Sequence, residues 1–487
     1  MKNVIRAAMP TTAVGLVFLS LTACGGSTAS ATSKSTTVAS GKGASTTASA
    51  QASGSASASA SASASASGPG SAGVTTAPQQ LVPAAFDNTK GWSITPPTDG
   101  TSLDDPVIAP DTNLLLLRSS TVNDTSASII ARDAKTGAIR WSGKPAAQAA
   151  SDGSSSTDIN VLVTHKAGKE YAVLVSTGFL GGDAVTKASE VTQLEVFDAA
   201  SSGAQVAPLR VITVPGLADG YSALRDGGTV LVQLGTGGAV VDVTTGQVTA
   251  YGDQDAVLKP PAPCELAIGD CSENAKIIGQ TPAGPLVQGY AAFWTKAWIS
   301  GGFIPQGTKT QFSNETVQAD GTPGGQVLAR WPQPTDATTD VVWALHDGQT
   351  GRVLTTVPCA AKTTSASQTG SAGNDGVTLS PDGHYLIAGD GIVVFDLQGN
   401  KGYCFGANAT RNEVDVTAVD TDGTAYGTVH GTATGTTDVT PASVKPDSGQ
   451  ATALPAGTLV PALIGAGVGV FGTSTAGGGS ILVYPHH

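Results

Sequence analysis

The sequence predicts an all-β fold, a β-propeller of about eight four-stranded blades, and three observations carry this prediction. Glycine is abundant, at 62 of 487 residues, while aromatic residues make up only 5% of the chain, which suits many short strands and turns. Apolar and polar residues alternate along short segments, as they do in half-buried strands. Similar turn sequences recur at intervals of about 40 to 60 residues, a spacing typical of propeller blades.

The first recurring turn begins with an aspartate, and its fullest copy is RDAKTGAIRW, which contains Asp133 and Trp141. In each copy an apolar strand runs into the turn, a glycine supplies the position of positive φ, and a second strand leaves, as in a hairpin. The other copies contain Asp198, Asp242, Asp347, Asp396 and Asp447. The interval between Asp242 and Asp347 is about twice the others, so one copy is missing there.

A second series of turns gives the number of units, because each turn precedes a very apolar strand. Its eight members lie at Asp111, Gly168, Gly227, Gly284, Gly325, Gly383, Gly423 and Gly467. The fourth fills the gap in the aspartate series, although its own hairpin, near Ala291–Gly302, is degenerate. Seven blades is the alternative if this unit is badly formed, and two β-sandwich domains are the alternative architecture.

The last unit ends at Ser480–Pro485 without an outermost strand. The segment NTKGWSI, at Asn88–Ile94, resembles the missing strand, with Trp92 in the place of Trp141. We therefore expect an N-terminal strand to complete the last blade and to close the ring without a free edge. The propeller domain is expected to span residues 81–487.

Residues 1–23 are expected to be a signal peptide. Lys2 and Arg6 precede a short apolar stretch, and Leu21–Cys24 (LTAC) resembles a bacterial lipobox, in which the cut falls before the cysteine and its thiol carries a lipid. The lipid on Cys24 would hold the chain at the outer face of the cytoplasmic membrane. An ordinary signal peptide with a chance cysteine is the alternative.

Residues 24–80 are expected to be the lipidated cysteine and a disordered tether. After Cys24 this segment is nearly all Ser, Ala, Thr and Gly, and it cannot bury enough apolar surface to offset its chain entropy. Together with the lipobox, this composition resembles lipoproteins of actinobacterial type.

The Asp-x-x-Thr-Gly-x-x-x-Trp turn of residues 133–141, repeated behind a lipobox, resembles the PQQ-like (quinoprotein alcohol dehydrogenase-like) β-propeller repeat over residues 86–487. This resemblance implies an enzyme hypothesis, because quinoprotein dehydrogenases hold the quinone over the ring axis with a vicinal disulfide, a tryptophan floor and a calcium or lanthanide ion. Adjacent cysteines do not occur here, and no carboxylate and asparagine set fits the metal. We expect a scaffold without PQQ, calcium or another metal.

Lipidation of Cys24 leaves four cysteines, an even number, in an oxidising compartment. The preferred pairing is Cys264 with Cys271 and Cys359 with Cys404, which is one of three connectivities. Zinc binding is the competing interpretation, but the spacing fits no zinc pattern and histidine is scarce.

Two features suggest a site. His346 beside Asp347 is a candidate acid–base pair, but Asp347 already has a role in its turn, so a structural role is expected. The segment FWTKAWISGGF places Phe293, Trp294, Trp298 and Phe303 in the unit that has lost the repeat. A binding loop is one interpretation of these aromatic residues, and packing between blades is the other.

A net charge of −12 without a cluster of lysine and arginine argues against a nucleic-acid partner. No catalytic motif was found, so we expect a non-catalytic binding or assembly module whose partner is an envelope protein or a glycan. The alternatives are an enzyme that uses the central funnel, either a quinoprotein or a wall-sugar hydrolase with a carboxylate pair, and a structural wall spacer.

Overall fold

The structure is a computed structural model that describes residues 73–95, 102–120, 126–144, 159–182, 185–224, 227–263, 271–312, 315–334, 340–360, 377–389, 391–407, 412–430, 439–475 and 478–487. The predicted signal peptide, residues 24–72 of the predicted tether with Cys24, and Cys264 lie outside these residues. Within them, no helix has the length and apolar character needed to span a membrane.

Consecutive antiparallel strands form the first three blades. Two short strands come first, β1 (Val74–Thr76) and β2 (Trp92–Ile94). Blade 1 consists of β3 (Ser102–Ala109), β4 (Leu114–Ser120), β5 (Ala127–Asp133) and β6 (Ile139–Gly143). The next strands are β7 (Ile159–Lys166), β8 (Lys169–Leu180), β9 (Ser189–Asp198), β10 (Gly203–Val206) and β11 (Arg210–Pro215). All of these except β10 form blade 2, and β10 runs parallel to β6 of blade 1. Blade 3 consists of β12 (Gly220–Leu224), β13 (Thr229–Gln233), β14 (Gly238–Asp242) and β15 (Val248–Tyr251).

The remaining blades follow the same order along the chain. Blade 4 consists of β16 (Lys276–Thr281), β17 (Gly284–Gln288) and β18 (Phe293–Trp294), and a hairpin of β19 (Gln311–Phe312) and β20 (Glu315–Thr316) follows it. Blade 5 consists of β21 (Gln318–Gly321), β22 (Val327–Pro332), β23 (Asp340–His346) and β24 (Val353–Ala360). Blade 6 consists of β25 (Thr378–Leu379), β26 (Tyr385–Ala388), β27 (Val393–Asp396) and β28 (Lys401–Cys404). Blade 7 consists of β29 (Val414–Val419), β30 (Ala425–His430), β31 (Val439–Lys445) and β32 (Gln450–Ala453). Blade 8 begins with β33 (Leu463–Gly465), β34 (Val468–Thr475) and β35 (Gly478–Pro485). Short 3₁₀ helices lie at Ala256–Leu258, Ser300–Gly302 and Pro323–Gly325.

The N-terminal strand β2 closes the ring, as the sequence predicts. Trp92 pairs with Val483, and Ile94 pairs with Ile481, so β2 is the fourth strand of blade 8. Strand β1 then pairs with β2 on its outer side. Because the first and last segments of the propeller share one sheet, the ring closes through backbone hydrogen bonds and leaves no open blade at the junction.

The folded part begins earlier than the sequence predicts. Residues 73–80, which composition assigns to the tether, pack along the edge of blade 8. The Ala77 N–H donates to the carbonyl of Gly91 at 3.1 Å, and the Tyr484 hydroxyl donates to the carbonyl of Pro78. Edge pairing satisfies backbone groups without needing large apolar side chains, so composition did not reveal it.

Hydrophobic clusters of buried residues lie between neighbouring blades, and the described residues form eight of them. Strand β13 shows how the sequence produces this arrangement. Val230 and Val232 pack in the cluster shared with blade 2, while Leu231 packs in the cluster shared with blade 4. Side chains alternate across a strand, so one central strand serves two neighbours. The cluster of Trp92 and Leu115 joins blade 8 to blade 1, which confirms a closed ring of eight blades.

Blade 4 is the degenerate unit, near the predicted Ala291–Gly302. Its described sheet has three strands, and β18 is only two residues long. The chain then turns into the 3₁₀ helix Ser300–Gly302, where a fourth strand would otherwise begin.

Candidate functional site

The aspartate turns lie on one end of the ring, which we call the turn face. It carries the turn between the first and second strands of each blade and the turn between the third and fourth, because these share an end in an antiparallel meander. At the fullest copy, Asp133 Oδ1 accepts from the N–H of Thr136 at 3.0 Å and from its hydroxyl at 2.9 Å. The Gly137 N–H donates to the carbonyl of Asp133 at 2.8 Å, with the glycine at φ 73°. Asp133 therefore holds the turn together.

Four further copies repeat the carboxylate contact. In each, a backbone N–H two or three residues later donates to the aspartate, and the residues are Asp198, Asp242, Asp347 and Asp396. The hydrogen bond from the Thr350 hydroxyl, at 2.7 Å, is the largest cause of the lowered pKa of Asp347. Each of these carboxylates therefore accepts hydrogen bonds from the backbone of its own turn.

The assignment of Asp447 to this series is wrong by two residues. In the intact turn of blade 5, the Gly351 N–H donates to the carbonyl of Asp347, four residues earlier. In blade 7 the Gly449 N–H donates instead to the carbonyl of Lys445, at 3.0 Å. Lys445 therefore occupies the position of the turn aspartate, and Asp447 is exposed in the middle of the turn.

Tryptophan side chains join neighbouring blades at the turn face. The indole N–H of Trp92, in blade 8, donates to the carbonyl of Ala134 in blade 1 at 2.9 Å. Trp141, in blade 1, makes the same contact with Ala199 in blade 2 at 2.9 Å. Each accepting carbonyl belongs to the residue directly after a turn aspartate. The repeat thus couples a tryptophan of one blade to the aspartate turn of the next blade.

Trp298 makes the same contact from blade 4, although the aspartate turn is missing there. Its indole N–H donates to the carbonyl of Gly348, the residue after Asp347, at 3.2 Å. Gly351 lies directly over the indole, with φ 77°, and a Cβ at this position would be 2.7 Å from Trp298 Cδ2. Sequence spacing could not reveal this role, because blade 4 has no aspartate from which to count.

The other aromatic residues of this segment also pack in the core. Phe293 and Trp294 are fully buried, Trp298 is 5% exposed and Phe303 is half-buried. Phe293 contacts Trp298 edge-to-face, and the Trp294 indole N–H donates to a backbone carbonyl at 3.0 Å. The structure therefore supports packing between blades, and the interpretation of these four residues as an exposed binding loop is corrected.

His346 is a core residue between blades 4 and 5. The Trp331 indole N–H donates to its Nε2 at 3.2 Å, and its Nδ1 lies 2.9 Å from the carbonyl of Gly351. With one ring nitrogen accepting and the other donating, the imidazole is neutral. Burial lowers the pKa of His346 to about 4, against the opposing hydrogen bond to Gly351. This environment favours a structural role over acid–base chemistry.

The predicted disulfide between Cys359 and Cys404 is confirmed, and it joins the outer strands β24 of blade 5 and β28 of blade 6. Cys271 is also disulfide-bonded. Its predicted partner, Cys264, lies outside the described residues.

A cavity of about 580 Å³ occupies the centre of the ring. It is lined by residues of the first strands of blades 1 to 6 and 8 and of the turns that follow these strands, so it lies towards the turn face. Half-buried aliphatic side chains from blades 1, 2, 6 and 8 form much of its wall, namely Val107, Ile108, Val163, Val377, Leu379 and Ile464. This volume is within the roughly 300–1,000 Å³ of small-molecule sites.

Most polar side chains of the cavity lie on blades 4 and 5. Gln280, Thr281 and Thr322 line it there, together with Asp320, the one carboxylate among the described lining residues. Arg330 holds both oxygens of that carboxylate, with Nε and Nη2 each donating at 2.8 Å. Blades 3 and 6 add hydroxyl groups, those of Ser222, Thr229 and Ser380. The described lining therefore presents uncharged polar groups and one carboxylate that is already ion-paired.

These residues do not fit PQQ with a calcium ion, which the family resemblance implies. A quinone that carries carboxylates needs cationic partners, and calcium needs several oxygen ligands. The described lining supplies no lysine, arginine or histidine, and its one carboxylate is bound to Arg330. Elsewhere in the described chain, no three histidine, cysteine or acidic side chains form a group that could hold a metal.

No protein-family model matches the chain, and no curated protein matches it. Solved structures with similar folds include the exotype rhamnogalacturonan lyase YesX, 14% identical with a TM-score of 0.35 over 84% of this chain and 76% of that chain. The β-propeller domain of the Trilobed protease from Pyrococcus furiosus is 10% identical, with a TM-score of 0.27 over 79% and 93%. An acylaminoacyl peptidase from Pyrococcus horikoshii is 11% identical, with a TM-score of 0.31 over 79% of this chain and only 45% of the peptidase. No functional inference follows at these values.

Proposed function

We propose that this chain is a lipid-anchored, extracytoplasmic β-propeller that acts as a non-catalytic binding or assembly module at the cell envelope. The described lining of the central cavity is the observation that carries the non-catalytic part of the proposal. The cavity offers a recess for binding, but its described lining contains one carboxylate, and that carboxylate is held by Arg330. A sugar hydrolase needs two carboxyl groups at a defined separation across the substrate.

The location rests on the sequence. The lipobox at Leu21–Cys24 and the Ser/Ala-rich segment after it support lipid attachment at the outer face of the cytoplasmic membrane. The PQQ-like type of the repeat is part of the same proposal. It is supported by the contacts of Trp92, Trp141 and Trp298 with the turn of the next blade.

The turn face is the proposed surface for an envelope protein or a glycan. Its turns are fixed by carboxylate hydrogen bonds and by the tryptophans of neighbouring blades, so a partner would meet a preorganised surface. Lys135 and Asp447 are exposed there, Lys135 in the turn that begins at Asp133 and Asp447 in the turn that begins at Lys445. On the opposite face, Lys187 and Asp219 are exposed in connections between strands.

Cross-linking capture from solubilised envelope tests the proposal with the full chain as bait. The variant Lys135→Glu/Asp447→Lys alters the turn face, and Lys187→Glu/Asp219→Lys alters the opposite face with the same change of charges. A discrete partner that is lost only with the turn-face variant supports the module and its surface. A partner lost only with the opposite-face variant contradicts the surface, and the absence of any partner contradicts the module.

A further inference from the structure

The central cavity is lined by aliphatic side chains of blades 1, 2, 6 and 8 and by polar side chains, most of which lie on blades 4 and 5. In the ring, blades 8 and 1 lie opposite blades 4 and 5. Ile108 and Ile464 contribute aliphatic surface on the first pair of blades, while Gln280 and Thr322 contribute uncharged polar surface on the second. A channel filled only with water has no need of an aliphatic wall. Exposed apolar surface of this kind inside a propeller instead marks a binding site.

The lining also selects against charge. Its one described carboxylate, Asp320, is engaged through both oxygens by Arg330, and no lysine, arginine or histidine is among the lining residues that the structure describes. Against the described lining, a charged ligand group would lose its hydration without gaining a partner of opposite charge, which costs several kcal/mol. An uncharged hydroxyl or amide end can instead exchange hydrogen bonds with Gln280 and Thr322.

The size of the cavity excludes a folded partner. A volume of about 580 Å³ matches a drug-sized molecule and is far too small for a protein domain. We propose that the central cavity binds an uncharged small molecule with a mainly apolar body and a hydroxyl-like polar end, its body against blades 8 and 1 and its polar end at blades 4 and 5. This site lies inside the ring, whereas the proposed partner surface consists of the exposed turns, and the inference rests on the proposed function only in treating the ring as a binder.

The test uses the full chain with Cys24→Ser, so that no attached lipid competes. N-phenyl-1-naphthylamine, an uncharged fluorescent probe, is titrated into the protein, and 1-dodecanol and dodecanoate are then compared as competitors with the same chain and different ends. We expect saturable probe binding at one site and displacement by the alcohol at least about tenfold better than by the carboxylate, since burial of an unpaired charge is costly.

Two variants locate the site. Val163→Trp and Ile464→Trp fill the cavity from blades 2 and 8, while Ile139→Trp places the same side chain on the outer strand β6, where Ile139 is 44% exposed. Circular dichroism and thermal melting check that each variant folds. Each folded cavity variant is expected to weaken probe binding about tenfold or more, and Ile139→Trp by less than about twofold.

The proposal is overturned by an unsubstituted chain that shows no saturable probe binding, by equal competition from dodecanoate, or by a folded cavity variant that binds like the unsubstituted chain. The competition arm decides it even if both cavity variants fail to fold. Envelope capture with the folded variants separates the two proposals, because loss of the small-molecule site need not affect the partner on the turn face.

Discussion

Protonation of His346 should make the propeller less stable in mildly acidic solution. The imidazole is fully buried, accepts from Trp331 and lies against the carbonyl of Gly351, and burial lowers its pKa from 6.5 to about 4. Between these values the unfolded chain binds a proton that the folded chain does not, so stability falls as pH falls. At about 1.4 kcal/mol per pKa unit, the loss over the whole window is about 3 kcal/mol.

Urea unfolding followed by circular dichroism measures this effect. Between about pH 7 and about pH 5, His346 should account for about 2 kcal/mol of lost unfolding free energy. The variant His346→Asn keeps a donor and an acceptor without a titrating ring. Its unfolding free energy should therefore fall by about 2 kcal/mol less than that of the unsubstituted chain between these two pH values. Other titrating groups contribute equally to both proteins and cancel in the difference.

His384 provides the matched control. It pairs with Asp396 at 2.9 Å in a half-buried position, so His384→Asn should retain the contribution of His346. The reasoning is refuted if His346→Asn and the unsubstituted chain lose the same free energy between these two pH values.

Three further changes probe the contacts between blades. Trp298→Phe removes the indole hydrogen bond to Gly348 and should cost about 1 kcal/mol of unfolding free energy, measured by urea denaturation. Gly351→Ala forces a Cβ to within 2.7 Å of Trp298 at a positive φ, and it should cost at least about 2 kcal/mol in the same assay. Replacing Cys359 and Cys404 by serine opens a bridge across a sequence separation of 45 residues, and it should cost up to about 4 kcal/mol, seen as a lower midpoint of unfolding.

Matched variants separate these effects from general disturbance. Trp343→Phe removes an indole N–H that has no acceptor among the described residues, so it should cost less than Trp298→Phe. Gly301→Ala adds a Cβ with no atom within 4 Å and should leave stability nearly unchanged. Equal losses within either pair would contradict the roles given to Trp298 and Gly351. An unchanged unfolding midpoint after loss of the disulfide would contradict its role as a link between blades 5 and 6.

The architecture could be predicted because it depends on short stretches of sequence, namely the turns and the apolar strands next to them. A turn between the first two strands needs residues that accept tight backbone geometry. Seven of the eight positions from Asp111 to Gly467 precede the second strand of a blade, and Gly284 is the first residue of that strand. Closure was also predictable, because the segment with Trp92 resembles the strand with Trp141 and the last blade lacked such a strand. In the structure Trp92 makes the same contact as Trp141.

The details of the site could not be predicted, because they depend on contacts between distant residues. Trp298 donates to the turn of the next blade without the local aspartate that marks such a tryptophan elsewhere, so its sequence context left both a binding loop and packing between blades open. In blade 7, Lys445 replaces the turn aspartate, so the sequence does not show at which residue that turn begins. The cavity combines Ile108, Gln280 and Ile464 from three blades, and no local pattern brings such residues together.

Photo-cross-linking in intact cells tests the central claim most directly. A photoreactive phenylalanine analogue would replace either Lys135 on the turn face or Lys187 on the opposite face of the full-length chain. Each of these two variants would be made once with Cys24 intact and once with Cys24→Ser. An envelope-bound module predicts a discrete adduct from position 135 that depends on Cys24, and none of comparable yield from position 187. Equal adducts from both positions, or no adduct from position 135, would contradict a binding module that uses its turn face at the cell envelope.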